Sequence, residues 1–269
     1  MKFSIVLSTQ PTLFSALAYK GELSQNISKI KMYGYDGVEL AVRDPDQLDL
    51  NSLDAILKEN RLPVPAIGTG QAYGEEGLSF TDPDNAVRKK AIERIKSQMI
   101  LAGHFGALVI IGLVRGKKGA DLSEERAEAW LIEALSECAS VNEKIKIAIE
   151  PIHRCETNLI NTVDSGLKFL EKLNKRNVGL LLDTFHMNIE EPSITGSIKN
   201  AGEKLFHFHV ADSNRWYPGA GHIDFRSILE TLDEMNYKGF VSAEIMPQPD
   251  PDTAAKKTID YLKGLMIKK

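Results

Sequence analysis

The chain has 269 residues, of which 43% are hydrophobic and 26% are charged, a composition typical of a folded globular protein rather than a disordered or fibrous one. Its 33 basic residues stand against 37 acidic residues, which gives a formal net charge of -4. A chain without a surplus of positive charge offers little to neutralise a phosphate backbone, so we expect no nucleic-acid partner.

The first ten residues lack the run of about 7 to 15 apolar residues that a secretory signal needs. No run approaches the length of about 18 apolar residues that predicts a transmembrane helix. The only cysteines are Cys138 and Cys155, and two thiols without a CxxC spacing suit a reducing compartment. We therefore expect a cytoplasmic protein without a membrane partner.

Short apolar or β-branched runs recur along the chain and predict eight strands, at residues 3–7, 37–41, 64–67, 108–111, 145–149, 178–182, 205–210 and 240–243. The segments between most of them have helical periodicity, at residues 23–34, 50–60, 85–103, 123–141, 163–173, 193–202, 225–236 and 254–265. Gly34, Gly103 and Gly202 are typical helix stop signals, and Ser123 is a typical start. The C-terminal Lys268 and Lys269 are expected to be solvated.

Strict alternation of strands and helices predicts parallel strands joined by right-handed crossovers. Eight such units are the number that closes a barrel, although a doubly wound open sheet remains the main rival. Polar residues at the carboxyl ends of several strands favour the barrel, because loops at that end form the active site of this architecture. We predict one α/β domain, a (β/α)8 TIM barrel, over residues 1–269.

Four predicted strands, the fifth to the eighth, end in a residue that can bind a metal: Glu150, Asp183, His209 and Glu244. Any one of them alone would suit a helix cap or a solvated loop. In a closed barrel the four ends converge, and three neighbouring carboxylates repel one another unless a cation or protons offset their charge. The set therefore predicts a metal site.

The predicted ligand set is rich in oxygen and contains no thiolate, which favours Mn²⁺ or Mg²⁺ over a structural zinc. The general order of metal affinities would also admit Co²⁺, Ni²⁺ or Zn²⁺. We expect one divalent cation, Mn²⁺ or Mg²⁺ in preference to the others, acting as a Lewis acid on a carbonyl.

Glu150 and Glu244 come from strands separated by two others, so they can flank a substrate from different sides. One carboxylate can remove a proton from the carbon beside a ketone while the other returns a proton to the opposite face. This arrangement predicts epimerisation through an enediolate, whose developing oxyanion the cation would stabilise.

Four segments of the chain resemble the D-tagatose 3-epimerase family of xylose isomerase-like barrels: EPIHRCETN at 150–158, DTFHMNIEE at 183–191, HFHVADSNR at 207–215 and GHIDF at 221–225. Within that family, the resemblance is closest to 5-keto-L-gluconate epimerases, through AVRDP at 41–45, AIGTGQAY at 66–73 and ALVIIGLVRG at 107–116. The match runs through most of the chain and is densest after residue 145.

The resemblance implies that Glu150, Asp183, His209 and Glu244 bind one divalent metal, commonly Mn²⁺, with Glu150 and Glu244 also serving as the acid/base pair. It further implies substrate-binding roles for Glu156, His186 and Arg215, and a homodimer or homotetramer. The implied reaction is conversion of 5-keto-L-gluconate to D-tagaturonate, and the alternative is 3-epimerisation of D-tagatose or D-fructose.

Two further residues are candidates for substrate binding. Arg115 follows the fourth predicted strand and can pair with the carboxylate of a sugar acid, although a solvated loop charge is the alternative. Gln71 lies in a glycine-containing loop after the third strand and can bind sugar hydroxyls. These glycines do not form a GxGxxG motif, so no nicotinamide cofactor is expected.

The remaining histidines divide into three groups. His207, two residues before His209, is expected to face away from the pocket and to be structural, and His104 is expected at the far end of the barrel. His153 and His222 are left open, with His222 the better candidate to approach the substrate.

Three other functions compete with an epimerase. A trinuclear-zinc endonuclease shares this barrel, but it needs further histidine ligands from the early strands and an Asp-x-His where this chain reads DSNR at 212–215. An aldose–ketose isomerase or a keto-inositol dehydratase begins with the same proton abstraction. A non-catalytic sugar-binding barrel would not need two carboxylates placed as bases.

Overall fold

The computed structural model describes residues 1–266, so the predicted solvated lysines Lys268 and Lys269 lie outside the described residues. Within residues 1–266, every helix is too short or too polar to cross a membrane.

The strands form one parallel sheet that closes on itself. They are β1 (Lys2–Ser8), β2 (Tyr19–Lys20), β3 (Gly37–Ala41), β4 (Ala66–Gly68), β5 (Leu108–Ile111), β6 (Ile147–Ile149), β7 (Val178–Asp183), β8 (Leu205–Val210) and β9 (Phe240–Ala243). The two-residue β2 pairs only with the end of β1. The other eight strands follow one another in chain order, and β1 pairs with β9 to close the barrel. The predicted (β/α)8 barrel is confirmed, because in an open doubly wound sheet the two edge strands would each have a neighbour on one side only.

Ten α-helices accompany the described strands. They are α1 (Leu23–Tyr33), α2 (Leu50–Asn60), α3 (Gly70–Gly74), α4 (Asn85–Phe105), α5 (Glu124–Ala139), α6 (Val163–Leu173), α7 (Thr184–Glu190), α8 (Ile194–Ala201), α9 (Phe225–Glu234) and α10 (Pro251–Met266). The sequence did not predict α3 and α7, which are short and follow β4 and β7 directly. Both lie at the carboxyl ends of strands, where the functional loops of a barrel lie.

Helix boundaries follow the expected capping chemistry, with one correction. Gly34 ends α1 in the left-handed conformation, and the hydroxyl of Ser123 accepts a hydrogen bond from the backbone of Arg126 at the start of α5. Gly103 does not end α4, which continues to Phe105 and ends at Gly106 with a φ of 68°. Only a residue with positive φ terminates a helix in this way, and Gly103 retains helical geometry.

Side chains alternate between the two faces of each strand. In β7, Leu180 and Leu182 pack in the core shared with the helices, whereas Leu181 packs with Ala66 and Ala148 in a smaller cluster built from strand residues. The barrel interior is thus apolar at this level, and Asp183 lies two residues further along β7 on the same interior face. Polar groups are placed above an apolar floor.

The pairing of β7 with β8 contains a bulge that depends on a glycine. Leu180 lies opposite Leu205 and Leu181 lies opposite His207, so Phe206 is an extra residue in β8. A Cβ atom on Gly179 would lie 2.6 Å from the carbonyl oxygen of Lys204 and 2.6 Å from the ring of Phe206. The backbone contact leaves no room for any side chain at residue 179.

The Gly179→Ala variant is expected to lower the free energy of unfolding by about 1–3 kcal/mol, because the added methyl group overlaps a carbonyl that cannot move freely. The matched control is Gly264→Ala on α10, where nothing lies within 4 Å of the added Cβ. Alanine there is expected to stabilise by about 0.5–1 kcal/mol through helix propensity. Urea denaturation of both variants measures the difference, and equal effects would contradict this description of the bulge.

Candidate metal and substrate site

The structure brings together the four residues predicted as metal ligands. Glu150 follows β6, Asp183 ends β7, His209 lies in β8 and Glu244 follows β9. One ligand atom from each of them lies within 4.8 Å of those of the other three. Asp183 and His209 are 0% and 1% exposed and Glu150 is buried, whereas Glu244 is half-buried at the cavity.

Strand register explains this convergence. Asp183 lies directly opposite His209 in the β7–β8 pairing, and His209 lies opposite Ser242 in β9. Residues opposite one another in register point to the same face, and Glu244 follows Ser242 by two residues. The Nδ1 atom of His209 accordingly lies 3.7 Å from Oδ2 of Asp183.

Buried polar atoms without a hydrogen-bond partner indicate whether this cluster can hold a cation. Oε1 of Glu150, Oδ2 of Asp183 and Nδ1 of His209 are buried without a hydrogen-bond partner among the described residues. The second oxygen of Asp183 accepts a 2.7 Å hydrogen bond from the backbone of Phe185. Buried polar atoms are normally paired, and each of these three atoms can offer a lone pair to a metal. The donor set fits one divalent cation.

The pKa shifts of the residues in the metal-free cluster also indicate a cation site. Burial raises the pKa of Glu150 well above its usual value, and the neighbouring Glu244 raises it further. Burial also raises the pKa values of Asp183 and Glu244. Burial lowers the pKa of His209, but the Glu39 carboxylate outweighs it and the net pKa is about 10. Without a cation, the cluster therefore retains protons that a bound cation would displace.

A cavity of ≈ 240 Å³ opens directly above the cluster. Its lining includes four of the predicted substrate-binding residues, Gln71, Glu156, His186 and Arg215. The amide nitrogen of Gln71 donates to the hydroxyl of Ser8 at 2.7 Å, and its buried carbonyl oxygen has no partner among the described residues. Gln71 thus lies at the cavity wall with one acceptor that these residues leave unused.

Arg215 links two carboxylates across the cavity. Its Nη1 atom lies 3.1 Å from Oε1 of Glu156, and its Nη2 atom lies 3.1 Å from Oε2 of Glu244. Its guanidinium also lies 4.9 Å from the ring centroid of Phe185 and 5.3 Å from that of Phe14. The guanidinium is thus fixed over the site by both charge and aromatic contact.

The backbone that presents Arg215 is held by Asp212, a residue that the sequence did not identify as a site residue. Arg215 has a φ of 61°, in the left-handed region, and its backbone nitrogen donates to the carbonyl of Asp212 at 2.7 Å. The buried carboxylate of Asp212 accepts hydrogen bonds from the backbone of Gly219 and Ile223. Such a strained residue persists only where its surroundings determine its conformation.

His186 lines the cavity. It lies on α7, 2% exposed, with Nε2 3.6 Å from Oε1 of Glu150. Burial, followed by the nearby charge of Arg215, lowers its pKa well below the usual value. A neutral imidazole beside Glu150 can donate a hydrogen bond to a substrate oxygen without adding a charge.

The two histidines that the sequence left open lie in different surroundings. His153 is buried beside the cavity, with Nε2 3.1 Å from Oε1 of Glu156 and its ring 4.8 Å from that of His186. His222 is exposed and its Nδ1 lies 3.0 Å from the hydroxyl of Ser213. His153 rather than His222 is therefore the one that contacts the candidate substrate residues.

The position of Arg115 contradicts the prediction that it binds the carboxylate of a substrate. It is 1% exposed and its guanidinium donates to backbone carbonyls, at 3.0 Å to Leu159 and 3.3 Å to Ile160, and also to that of Glu150. Its donors are used by the chain itself, and it does not line the cavity. Arg115 holds the loops after β5 and β6 in place, and the structure leaves it no free face for a ligand.

The prediction for His207 is wrong, because residues two apart on a strand share a face. His207 and His209 both turn into the barrel, with Nε2 atoms 2.7 Å and 3.0 Å from the two oxygens of Glu39. Burial raises the pKa of Glu39, but His209 and His207 outweigh it and hold that pKa well below its usual range. Sequence reasoning also missed Glu39, although an acidic residue inside the apolar run GVELA was a usable signal. His104 lies in the last turn of α4 beside Asp54, away from the site, as expected.

Comparison with known proteins assigns most of the chain to one family. The model of the xylose isomerase-like TIM barrel family matches residues 27–265. The chain is 31% identical over 264 residues to an L-ribulose 3-epimerase of Methylomonas sp. (strain DH-1), covering 93% of this chain and 89% of that protein. It is 32% identical to a D-psicose 3-epimerase of Ruminiclostridium cellulolyticum, covering 84% of this chain and 79% of that protein.

A solved structure shows the same likeness in three dimensions. D-allulose 3-epimerase from Methylomonas sp. in complex with D-allulose aligns with a TM-score of 0.83 and 26% sequence identity. The alignment covers 98% of this chain and 96% of that one. The chain therefore belongs to the xylose isomerase-like TIM barrel family, and the two relatives named above, which align with most of its length, are an L-ribulose 3-epimerase and a D-psicose 3-epimerase.

Proposed function

We propose that the protein is a divalent-metal-dependent epimerase that inverts the carbon next to the ketone of a keto sugar. The observation that carries the proposal is the placement of Glu150 and Glu244. They follow β6 and β9, which are separated by β7 and β8, and both line one cavity above the same cation-binding cluster. Two carboxylates on different sides of a substrate can remove a proton from one face of a carbon and return a proton to the other face.

A bound divalent cation would polarise the ketone and stabilise the oxyanion that develops during proton removal. Glu150 and Glu244 exchange the proton with the substrate carbon from opposite faces, one as base and the other as acid. Arg215, in contact with Glu244, keeps that carboxylate oriented towards the cavity. His186 and Glu156 hold the substrate oxygens next to the reacting carbon, and Gln71 holds a hydroxyl further along the chain of the sugar.

We propose that the substrate is a neutral ketose such as D-tagatose or D-fructose. The proposed reaction is its epimerisation at carbon 3. Among the described residues that line the cavity, Arg215 is the only one with a fixed positive charge, and two carboxylates already neutralise it. Arg115, the cation expected to bind a sugar acid, is turned away from the cavity. The relatives named above act on ketoses, and 5-keto-L-gluconate is not supported as the substrate.

Four finer statements stay predictions. They are Mn²⁺ as the resident metal, a single domain, a homo-oligomeric state and a cytoplasmic location. The oxygen-rich donor set with one imidazole supports Mn²⁺ over Zn²⁺.

Substituting either acid/base carboxylate is expected to abolish most turnover. Glu150→Gln and Glu244→Gln should each lower kcat by about 10²–10⁴-fold, because an amide neither removes nor returns the proton. Proton NMR in D₂O measures both epimer formation and deuterium incorporation next to the ketone. The control is Glu190→Gln, which removes a largely buried carboxylate that pairs with Arg154 away from the cavity. Near-normal turnover by either site variant would rule out a two-carboxylate mechanism.

Cation binding is expected to stabilise the fold, and the gain should depend on Asp183. After treatment with a chelator, addition of Mn²⁺ at about 100 times its Kd should raise the free energy of unfolding by about 2.7 kcal/mol. Asp183→Asn removes one charged ligand and should eliminate most of this gain. Asp260→Asn, at an exposed pair with Lys256 on α10, should preserve it. Differential scanning calorimetry tests the point, and an identical gain in both variants would place the cation elsewhere.

The stabilisation by Mn²⁺ is expected to grow with pH. Because the folded-state pKa values of Glu150, Asp183 and Glu244 are raised, their protonated forms stabilise the metal-free protein in acid. That contribution is lost as the pH rises from the ordinary carboxyl pKa of about 4 through the raised values. The cation binds the deprotonated groups, so the rise in Tm should be larger at about pH 8 than at about pH 5. Equal rises at both pH values would be inconsistent with this site.

The substrate class is tested with a panel of D-tagatose, D-fructose, 5-keto-L-gluconate and a keto-inositol. We expect kcat/KM to be highest for a neutral ketose, because the described residues that line the cavity include no positively charged side chain free of a carboxylate partner. Deuterium exchange and a new epimer in the ¹H spectrum measure the reaction for each compound. A higher kcat/KM for 5-keto-L-gluconate would overturn the choice of a neutral substrate and leave the epimerase chemistry intact.

A further inference from the structure

Glu39 joins the metal cluster to the opposite wall of the barrel. It lies on β3, whereas its two partners, His207 and His209, lie on β8, and β9 and β1 separate these strands in the closed sheet. All three side chains are 1% exposed. Their contacts, 2.7 Å to His207 and 3.0 Å to His209, therefore cross the interior of the barrel.

The contact with Glu39 determines which nitrogen of His209 is free. A carboxylate oxygen only accepts hydrogen bonds, so Nε2 of His209, which faces it, carries the proton. The opposite nitrogen, Nδ1, has no hydrogen-bond partner among residues 1–266 and lies 3.7 Å from Oδ2 of Asp183. In the neutral, metal-binding form of His209 the lone pair is therefore on Nδ1 and is aimed at the cluster of carboxylates.

His207 fixes the orientation of Glu39. A carboxylate held through one oxygen can rotate about its last bond, but here His207 engages the second oxygen while His209 engages the first. The rings of the two histidines meet edge to face, with centroids 5.2 Å apart. With both oxygens engaged, the carboxylate plane and the ring of His209 have one favoured arrangement.

We propose that Glu39 and His207 are positioning residues for the divalent cation. Glu39, locked by His207, holds His209 in the form with its proton on Nε2 and presents Nδ1 to the cation. This inference rests on the proposed function in one respect, namely that the cluster of Glu150, Asp183, His209 and Glu244 binds a cation. Neither Glu39 nor His207 is among the predicted ligands, and both act through His209.

The first test measures the Kd of Mn²⁺ for chelator-treated protein by isothermal titration calorimetry. Glu39→Gln keeps the size of the side chain but replaces one accepting oxygen with a donor, and should raise the Kd by about 10–100-fold. His207→Phe keeps a ring but loses the donor, and should raise the Kd by a smaller factor. The matched control is Asp54→Asn, a carboxylate that pairs with His104 at 2.9 Å on the outer surface, and its Kd should equal that of the wild type.

Glu39→Gln also unpairs His207 and His209 in the barrel interior, so it is expected to lower the thermal midpoint of the metal-free protein. Ile259→Ala, which removes buried packing on α10 away from the cluster, provides a matched loss of midpoint. A merely structural role predicts an equal rise of the Kd in these two variants, whereas positioning predicts a rise in Glu39→Gln and a wild-type Kd in Ile259→Ala. If both site variants bind Mn²⁺ within twofold of the wild type, the positioning role is wrong although the metal site stands. If the wild type itself does not bind Mn²⁺, the proposed function fails and this inference fails with it.

A second measurement needs no variant and so does not depend on how Glu39→Gln folds. In protein labelled with ¹⁵N-histidine and loaded with diamagnetic Mg²⁺, long-range ¹H–¹⁵N correlation spectra report which ring nitrogen carries the proton. We expect His209 to show a protonated Nε2 and an unprotonated Nδ1. A proton on Nδ1 in the loaded protein would overturn the proposal.

Discussion

Repulsion among three carboxylates within one buried cluster is the constraint around which this barrel is organised. Glu150, Asp183 and Glu244 converge at the carboxyl end of the sheet, where burial weakens the screening of their charge by water. The fold tolerates these carboxylates because positively charged side chains of the protein lie nearby. Arg215 contacts Glu244 directly, and although burial raises the pKa of Glu150, the charge of the buried Arg115 opposes that rise. A divalent cation would complete this neutralisation, which is why the cluster is best understood as a metal site.

The rest of the molecule positions that cluster. Register between β7, β8 and β9 places Asp183, His209 and Glu244 on one interior face. An apolar floor of strand residues supports the site from below, and Asp212 organises the loop that presents Arg215 from above. Charge balance, strand register and loop geometry are thus linked, since a shift of one residue in β8 would turn His209 away from the metal.

Much of this arrangement was predictable from the sequence because it depends on local periodicity. Strand ends could be recognised from apolar runs, and Glu150, Asp183, His209 and Glu244 each follow or end such a run. Residues whose role depends on contacts across the barrel were not predictable in this way. Glu39 lies 170 residues from its partner His209 along the chain, and nothing local indicates that they meet.

Arg115 shows the other limit of sequence reasoning. A cation after a strand end is equally suited to a ligand or to the carbonyls of neighbouring loops, and only the packing of residues 159 and 160 decides between them. The error over His207 has a different origin, because the period of two along a strand was available and simply places His207 and His209 on one face. The short helices α3 and α7 were missed because five and seven residues carry too little periodicity.

Four strand-end side chains are proposed to hold one divalent cation below the substrate cavity. Anomalous diffraction at the manganese edge, from crystals grown with Mn²⁺, locates that cation. One strong peak is expected within bonding distance of Glu150, Asp183, Glu244 and Nδ1 of His209. A single peak between His153, Glu156 and His186 instead, or none at the strand ends, would contradict this proposal.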